Sequence, residues 1–334
     1  MFDIPVTLFL FKRKETLERI IARIREVAPL KVYLIADGPR NEEERIMTTD
    51  VREYVESLID WDCEIIKNYA DENRGVYSNI GLGAKWVLSK EKQAIFLEDD
   101  NLPEITFFDY CRDMLELYKS DNRVLWICGT NYLIESKESN GASYYFTQHL
   151  LPCGWASWAN KFNEYYDGEL DLVSDISLNA IKESYRDKSL FEQDKDVVLK
   201  TKSFLKNNRK MASWDRQMLF SLRVNNLYGI SPIYNQIRNI GADDLSTHGG
   251  TSTNKTMTGR FCELATKPLE FPLKHPEYLL ADCDYEEKIG KIILYPWYRR
   301  VSLQFFRFIK PILGLKRNES FVIKYQEFKN KRNK

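Results

Sequence analysis

Short, continuously apolar runs alternate with longer segments of helical periodicity through the first 128 residues of the chain. Such runs are typical of strands buried on both faces, and they lie at residues 6–11, 31–36, 64–66, 94–97 and 124–128. Apolar residues three or four positions apart predict helices between them, over about 17–28, 41–59, 78–89 and 104–118. This alternation predicts an α/β fold in which helices flank a mostly parallel sheet.

The chain beyond residue 128 is less regular, although it contains no low-complexity linker and no internal repeat. Helical periodicity predicts three helices there, over about 175–186, 192–206 and 214–224. We therefore predict one domain over residues 1–287, in two halves (1–128 and 129–287), and a separate helical segment over 288–334.

Polar residues follow three of the predicted strands, at positions 11–13, 37–38 and 98–100. Ligands of parallel α/β sheets bind beyond the carboxyl ends of the strands. We therefore expect these three segments to form the floor of one cleft.

Glu98, Asp99 and Asp100 are three consecutive carboxylates at the end of a buried strand. Mutual repulsion and lost solvation make such a cluster costly unless a cation lies there. Mg²⁺ or Mn²⁺ takes one or two carboxylates together with the phosphates of a substrate. The alternative is a solvated acidic turn before the next helix. The neighbouring polar strand ends favour the site for a metal and a diphosphate.

Glycine-rich phosphate loops are absent, since Gly75, Gly81 and Gly83 do not form GxGxxG and no GxxxxGK[ST] occurs. A nicotinamide dehydrogenase or a P-loop NTPase is therefore not expected. The six cysteines form no CxxC pair, so we expect buried reduced thiols, with a zinc site or a disulfide framework as the alternative.

Composition is that of an ordinary globular protein, with 43% hydrophobic, 13% aromatic and 29% charged residues, which excludes a disordered, collagen-like or coiled-coil chain. The net charge of zero conceals an asymmetry. The basic tail (residues 288–334) has thirteen Lys and Arg against two Glu, a charge of +11, so the preceding 287 residues carry −11. A tail of this kind indicates an anionic surface as its partner.

Aromatic and basic residues alternate in the basic tail, and apolar positions 301, 305, 308 and 309 follow helical spacing. This pattern predicts an amphipathic helix that lies in the interface of an anionic membrane. The alternative is a helix docked on the protein's own body. Nucleic acid is not expected as a partner, because the body is acidic and carries no recognised binding motif. Since no apolar run is long enough to span a bilayer and no signal peptide is evident, we expect a cytoplasmic protein, peripheral at the inner face of the plasma membrane.

Several parts of the sequence resemble nucleotide-sugar glycosyltransferases of the GT-A fold. They are the segment from Pro5 to Arg13, Asp37, and the segment from Leu97 to Asp100 with Pro103 and Phe107-Phe108. The resemblance is to N-acetylglucosaminyltransferase I and to bacterial enzymes that build surface polysaccharides. It implies a Rossmann-like GT-A fold. It also implies that Arg13, Asp37, Glu98 and Asp99 contact the donor and that Asp100 binds Mn²⁺ or Mg²⁺.

Three later segments extend the resemblance, at residues 154–158, 213–217 and 239–248, although the last lacks a second Gly of the family pattern. They imply Asp215 as catalytic base. His248 has Asp243, Asp244 and Thr247 around it, so we expect it to contact the metal or the diphosphate. Aromatic rings can stack on the apolar face of a sugar, so we expect acceptor contacts by Trp155, Trp158 and Trp214. Each has an alternative: Asp215 as a helix cap, His248 as a structural residue, and the indoles as core. For Arg74, which follows Asn73 in a predicted loop, we expect either a contact with the donor or a surface ion pair.

Together these features predict an inverting, metal-dependent glycosyltransferase. It would move a sugar from a nucleotide-diphosphate donor, expected to be UDP-linked, to a hydroxyl of a glycan or lipid-linked glycan in surface polysaccharide biosynthesis. The alternatives are a sugar-phosphate nucleotidyltransferase and a non-catalytic nucleotide-sugar-binding protein. The first would be expected to have a glycine-rich segment in its first loop, where this chain has residues 11–15.

Overall fold

The computed structural model describes residues 2–136, 140–242 and 258–312. The described strands are β1 (Val6–Leu10), β2 (Lys31–Ala36), β3 (Glu64–Tyr69), β4 (Gln93–Glu98), β5 (Asn101–Pro103), β6 (Val124–Cys128), β7 (Tyr144–Thr147), β8 (Trp155–Trp158), β9 (Tyr228–Pro232) and β10 (Ile237–Asn239). The five strands predicted in the first 128 residues are all present. The other five, all short, were not predicted.

The described α-helices are α1 (Leu17–Val27), α2 (Glu42–Leu58), α3 (Leu82–Leu88), α4 (Thr106–Leu117), α5 (Ala159–Tyr165), α6 (Asp175–Lys182), α7 (Lys188–Asn207), α8 (Asp215–Val224), α9 (Thr258–Phe261), α10 (Cys283–Ile293) and α11 (Trp297–Ile312). A π-helical turn, Tyr77–Gly81, precedes α3, and a 3₁₀ turn, Arg209–Met211, precedes α8. Local capping explains some of the bounds: the Asn41 side chain accepts a hydrogen bond from the N–H of Glu44 at 2.9 Å, so α2 begins at Glu42.

Eight strands form one sheet in the order β3-β2-β1-β4-β8-β6-β9-β7. The pairs β3-β2, β2-β1, β1-β4 and β6-β9 are parallel, whereas β8 runs antiparallel to both of its neighbours and β7 antiparallel to β9. Buried side chains form a hydrophobic cluster on each face of the sheet, where helices cover it. The predicted α/β class with a mostly parallel, helix-flanked sheet is confirmed.

The two predicted halves share this sheet. Strands β8 and β9 come from the second half, and they lie on either side of β6, which comes from the first. A separate antiparallel pair joins β5 to β10, with Asn101 opposite Asn239. The halves are therefore interleaved, and one continuous sheet underlies residues 6–232.

The boundary predicted at residue 287 falls inside α10. Ile289, beyond that boundary, is fully buried, and Tyr285 packs in the same cluster. The body of the protein therefore extends to the end of α10, because the apolar side of this helix fills the core. In the described part of the chain, no helix combines the length and apolarity that crossing a bilayer requires.

Candidate active site at the carboxyl ends of β1 and β4

Asp99 is held by the loop that joins β1 to α1. The N–H of Phe11 donates to its Oδ2 at 3.1 Å, and Nη1 of Arg13 donates to its Oδ1 at 3.0 Å. The Thr16 hydroxyl donates to the carbonyl of Asp99. These contacts follow from the topology, since β1 and β4 are parallel neighbours with Phe9 opposite Glu98. Two of the predicted strand ends therefore meet, as expected.

Asp100 contacts the same arginine nitrogen as Asp99. Nη1 of Arg13 lies 3.4 Å from its Oδ2, and Nδ2 of Asn101 donates to its Oδ1 at 2.6 Å. The Asn101 side chain is itself fixed, because its Oδ1 accepts the N–H of Gly154 at 2.8 Å. The carboxyl group of Asp100 is therefore positioned by two neighbouring side chains.

Gly241 closes one side of the Asp100 carboxyl group. A Cβ atom at position 241 would lie 2.5 Å from Oδ2 of Asp100 and 2.9 Å from its Cβ. The backbone approaches this closely because β10 pairs with β5 and the N–H of Ile240 donates to the carbonyl of Asp100 at 2.8 Å. A side chain larger than glycine's would displace the carboxyl group.

Glu98 has no hydrogen-bond donor among the residues that the structure describes. Burial raises the pKa of Glu98 well above its usual range, and the negative charges of Asp100, Asp99 and Asp215 raise it further. Burial also raises the pKa of Asp99, to about 7, against the opposing charge of Arg13. The site thus gathers carboxyl groups whose ionisation is disfavoured unless a cation offsets their charge.

Asp215 begins α8, and its charge is close enough to act on Glu98. The Ser213 hydroxyl donates to its Oδ1, and Nε of Arg216 lies 3.3 Å from its Oδ2. Its side chain is 21% exposed, so solvent or a substrate can reach it. Neither oxygen caps the helix through a side-chain hydrogen bond, which does not favour the capping alternative. The structure therefore brings Asp215 to the site predicted from the strand ends.

Asp37 organises the loop after β3. Its Oδ1 accepts the N–H groups of Gly38 and Arg74, at 2.8 and 2.7 Å, and its Oδ2 accepts Nδ2 of Asn73 and the N–H of Gly75, at 2.9 and 3.1 Å. A carboxylate offers about four acceptor positions, so protein donors occupy them all. A donor contact by Asp37 stays a prediction, and it would require one of these bonds to be exchanged.

Arg74 points into the same loop region and is held by neutral groups. Its Nη2 donates to Oδ1 of Asn79 at 2.7 Å and its Nη1 to Oδ1 of Asn68 at 3.1 Å. Burial lowers the pKa of Arg74, against the charge of Asp37. No ion pair between Arg74 and a carboxylate occurs among the described residues, so the surface ion-pair alternative is not favoured.

Trp155, Trp158 and Trp214 are buried, with 1%, 3% and 4% of their surface exposed. Trp155 stacks between Phe96 and Trp126, at ring distances of 4.0 and 4.1 Å. Trp158 lies on the other face of the sheet and donates its indole N–H to the carbonyl of Leu115. Because no ring face is open to a sugar, this burial favours the core alternative over acceptor contacts.

The carboxylates suit a hard divalent cation chemically, since Mn²⁺ and Mg²⁺ prefer oxygen ligands. Within residues 2–136, 140–242 and 258–312, no group of three or more His, Cys, Asp or Glu side chains could by itself hold a metal ion. A cation that takes one or two carboxylates and completes its shell with substrate phosphates does not need such a group. Asp100 fits that requirement, whereas His248 lies outside the described residues.

Sequence patterns did not single out several residues that shape this site. Asn101 and Gly241 position Asp100, Thr16 binds the Asp99 backbone, and Ser213 contacts Asp215. Ser213 and Gly241 lie in segments of the family resemblance but were given no role, whereas only adjacency to the predicted carboxylates could have indicated Asn101. The six cysteines are all free, as expected. Burial was expected for all of them, but Cys111 and Cys128 alone are buried, Cys63, Cys153 and Cys262 are half-buried, and Cys283 is exposed.

No protein-family model matches the chain, and no curated protein matches its sequence. Solved structures do match. A mannosyltransferase from Pyrobaculum calidifontis in complex with GDP-Man and Mn²⁺ aligns over 66% of this chain and 69% of its own, with 12% identity and a TM-score of 0.37. A UDP-glucose pyrophosphorylase complexed with UDP-glucose aligns over 71% of this chain and 93% of its own, with 8% identity and a TM-score of 0.34.

Glucosyl-3-phosphoglycerate synthase from Mycobacterium tuberculosis, in complex with Mn²⁺, UDP and glucosyl-3-phosphoglycerate, covers 47% of this chain and 57% of its own. Its identity is 9% and its TM-score 0.29. The similar structures thus include both glycosyltransferases and a nucleotidyltransferase, and they do not distinguish between these activities.

Proposed function

We propose that this protein is an inverting, metal-dependent glycosyltransferase that uses a nucleotide-diphosphate sugar. The observation that carries the proposal is that the charge of Asp215 acts on Glu98, the residue that adjoins Asp99 and Asp100 at the end of β4. A carboxylate cluster suited to a metal and a diphosphate thus lies beside a partly exposed carboxylate that is suited to remove a proton. These are the two components that transfer to a hydroxyl requires.

On the donor side, Arg13 and Asp99 would fix the position of the nucleotide. Arg13 bridges Asp99 and Asp100, so its guanidinium group holds both carboxylates in one arrangement. Glu98 and Asp99 would contact the ribose and the sugar, as the family resemblance implies. Arg74 and Asp37 would contribute through the loop that they organise, at residues 73–75.

On the acceptor side, Asp215 would accept the proton of the attacking hydroxyl. Ser213 and Arg216 each hold one of its oxygens and thereby keep the carboxylate oriented. A single displacement by that hydroxyl inverts the anomeric carbon, and it requires one base and no second nucleophile. Trp214 precedes Asp215 and supports its backbone from the core rather than offering a ring to the acceptor.

Asp100, with His248 as a predicted second ligand, would hold Mn²⁺ or Mg²⁺. A divalent cation there would act as a Lewis acid that stabilises negative charge on the departing diphosphate. Asn101 and Gly241 would keep Asp100 in the orientation required for metal binding.

The acceptor would be a glycan or a lipid-linked glycan in surface polysaccharide biosynthesis. The predicted association of the basic tail with the inner face of the plasma membrane would place a cytoplasmic enzyme of this kind where lipid-linked acceptors lie.

The test is calorimetric titration of UDP into the purified protein, with Mn²⁺ and with EDTA. Metal-dependent binding that disappears in Asp100→Ala supports the site, and Asp60→Ala is the control, since Asp60 is an exposed partner of Arg25. Metal-dependent binding that survives Asp100→Ala would move the ligand away from the cluster. Absence of binding to UDP, GDP and dTDP would overturn the proposal.

A second assay separates the alternatives. Release of UDP from a UDP-sugar in the presence of an acceptor supports glycosyl transfer. Release of pyrophosphate from UTP and a sugar 1-phosphate would instead identify a nucleotidyltransferase. Binding without either reaction would indicate a non-catalytic protein.

A further inference from the structure

The helix α10 is attached to the body along its length. The Tyr285 ring stacks on that of Tyr145 at 4.3 Å, and its hydroxyl forms a hydrogen bond with Ser231 at 2.5 Å. Oε1 of Glu286 accepts the N–H of Gln148 at 3.1 Å, and Ile289 is fully buried. The position of α10 is therefore fixed by the core and by buried polar contacts.

The chain leaves the body at a defined point after α10. Oε1 of Gln193 accepts the N–H of Tyr295 at 2.7 Å, and Nη1 of Arg260 donates to the carbonyl of Leu294 at 2.8 Å. Arg260 also donates to the carbonyl of Ile292. The junction between α10 and α11 is thus held from two sides.

Beyond this junction, α11 exposes large apolar side chains. Trp297, Tyr298, Val301 and Phe305 are 70%, 51%, 55% and 61% exposed. Residues 297, 301 and 305 are four positions apart, so they share one face of the helix. A helix docked on its own body would bury these side chains. Their exposure favours the interfacial helix over that alternative.

The charge of α11 identifies the chemistry of its partner. The helix carries four basic residues and no acidic one, whereas the chain before residue 288 carries a net charge of −11. Exposed aromatic rings between cations suit an anionic bilayer, where rings enter the acyl boundary and cations bind headgroups. A nucleic acid would meet an acidic body and would leave the exposed apolar side chains in water.

Contacts connect the base of α11 to the active site in a few steps. Arg260 is followed by Phe261, whose ring lies 4.8 Å from that of Tyr132. The N–H of Glu263 then donates to the carbonyl of Asn239 at 2.8 Å. The side chain of Asn239 in turn accepts the N–H of Gly241 at 3.0 Å, which packs on Asp100. The segment that holds the junction therefore also borders the carboxylate cluster. On the acceptor side, Tyr295 of the junction and Tyr132 lie close enough to Arg216, the ion-pair partner of Asp215, to act on its pKa.

We infer that α11 lies in the interface of an anionic bilayer and that its junction with α10 holds the acceptor side of the site against that bilayer. The acceptor is then a lipid-anchored molecule, presented to Asp215 from the membrane surface. This statement about the acceptor rests on the proposed function. The membrane contact itself follows from the exposed side chains and the charge of α11.

The first test is co-sedimentation of the full chain with vesicles of phosphatidylglycerol or of phosphatidylcholine. We expect binding to the anionic vesicles, weakened at least tenfold by the pair Trp297→Ser and Phe305→Ser, since burial of one such side chain corresponds to about tenfold in affinity. Arg299→Gln should weaken it by about fivefold, because one cation contributes about 1 kcal/mol near an anionic surface.

The control is the pair Leu172→Ser and Ile176→Ser, which removes two exposed apolar side chains elsewhere. This pair should leave vesicle binding unchanged. Equal binding to both vesicle types, no effect of the α11 variants, or retention of duplex DNA in place of vesicles would each overturn the inference.

Hydrogen exchange with and without anionic vesicles tests the orientation. Protection is expected in α11, at residues 294–296 and in residues 258–263. No protection is expected in α2, whose Glu56 accepts hydrogen bonds from Lys67 and Tyr69 of β3, at the opposite end of the sheet from β7. Protection of α2 together with α11 would contradict the orientation.

UDP titration of the α11 variants distinguishes the membrane proposal from the proposed function. If a variant keeps nucleotide binding but loses vesicle binding, the substitution has affected the membrane contact alone. If the wild-type chain binds vesicles but no nucleotide, the glycosyltransferase proposal is refuted and the membrane contact is not.

Discussion

Asp215 and Asp175 occupy the same position in two helices, since each is the first residue of its helix. Of these two residues, Asp215 lies near the carboxylate cluster and Asp175 does not, so substitutions at the two positions serve as a test and its control. We expect Asp215→Asn to lower sugar transfer by about 10²–10⁴-fold, the usual contribution of a general base, with unchanged affinity for UDP and Mn²⁺. Asp175→Asn should leave both unchanged. The measurements are initial rates of UDP release and calorimetric titration, and a fully active Asp215→Asn would remove the proposed base.

Gly241 makes a second prediction at this scale. Gly241→Ala would place a Cβ atom 2.5 Å from Oδ2 of Asp100, so the carboxyl group must move. We expect metal-dependent nucleotide binding to weaken by tenfold or more, about 1.4 kcal/mol, in a protein that still folds. Gly229→Ala is the control, because its Cβ would meet other atoms only at 3.6 Å. Unaltered binding in Gly241→Ala would mean that Asp100 does not hold the ligand.

The sequence predicts some of the residue-level arrangement and not the rest. Arg13 and the carboxylates at the end of β4 come together because adjacent parallel strands end at the same edge, and this rule applies without coordinates. The four donors to Asp37 come mainly from a loop about 36 residues away in sequence, and no local pattern predicts them. The burial of Trp155 depends on its strand lying inside the sheet, which local sequence does not reveal.

At the scale of elements, α10 is fixed through a buried polar cluster with β7. Nε2 of His149 donates to the carbonyl of Glu286 at 2.9 Å, and Arg223 lies nearby. Burial lowers the pKa of His149, and the charge of Arg223 lowers it further while that of Glu286 opposes the shift. His149 is therefore neutral in the folded protein at neutral pH.

This state of His149 predicts a pH dependence of stability. As pH falls below about 6.5, the unfolded chain takes up a proton at His149 that the folded chain does not, so the free energy of unfolding decreases. The slope approaches about 1.4 kcal/mol per pH unit at most. Denaturant unfolding between about pH 7.5 and 5.5 should show a shallower slope for His149→Gln than for wild type. An unchanged slope in His149→Gln would contradict the prediction.

Element prediction succeeded where periodicity was strong and failed where strands were short. Positions 31–36 and 124–128 are strands with the predicted bounds, because both are continuously apolar and buried. The strand β8 has four residues, Trp155–Trp158, and is antiparallel between two parallel neighbours. A segment of four residues is too short for its hydrophobic pattern to distinguish a strand from other buried segments. The strands β5 and β10 have only three residues each.

At the scale of the whole molecule, the interleaved sheet predicts that the two halves do not fold separately. A fragment of residues 1–128 would leave β6 without β8 and β9, its two neighbours. We expect this fragment to show no cooperative thermal transition by circular dichroism. A chain of residues 1–296 retains the sheet and α10, so it should unfold in one transition, seen alike by circular dichroism and tryptophan fluorescence. A cooperative transition in the 1–128 fragment would contradict the prediction.

The junction at residues 294–296 also determines where the C-terminal part of the chain can be replaced by another segment. Gln193 and Arg260 satisfy the backbone groups of Leu294 and Tyr295 from within the body, and Pro296 follows without an N–H group of its own. A chain joined after this point has to replace the hydrogen bonds that the half-buried carbonyl of Pro296 accepts from Arg299 and Arg300, and a new helix that begins there would do so. Residue 296 is therefore a natural graft point, at which a different helix, a reporter or a second protein could be joined while the sheet stays intact. Through such an exchange, the same folded body could be given a different binding partner.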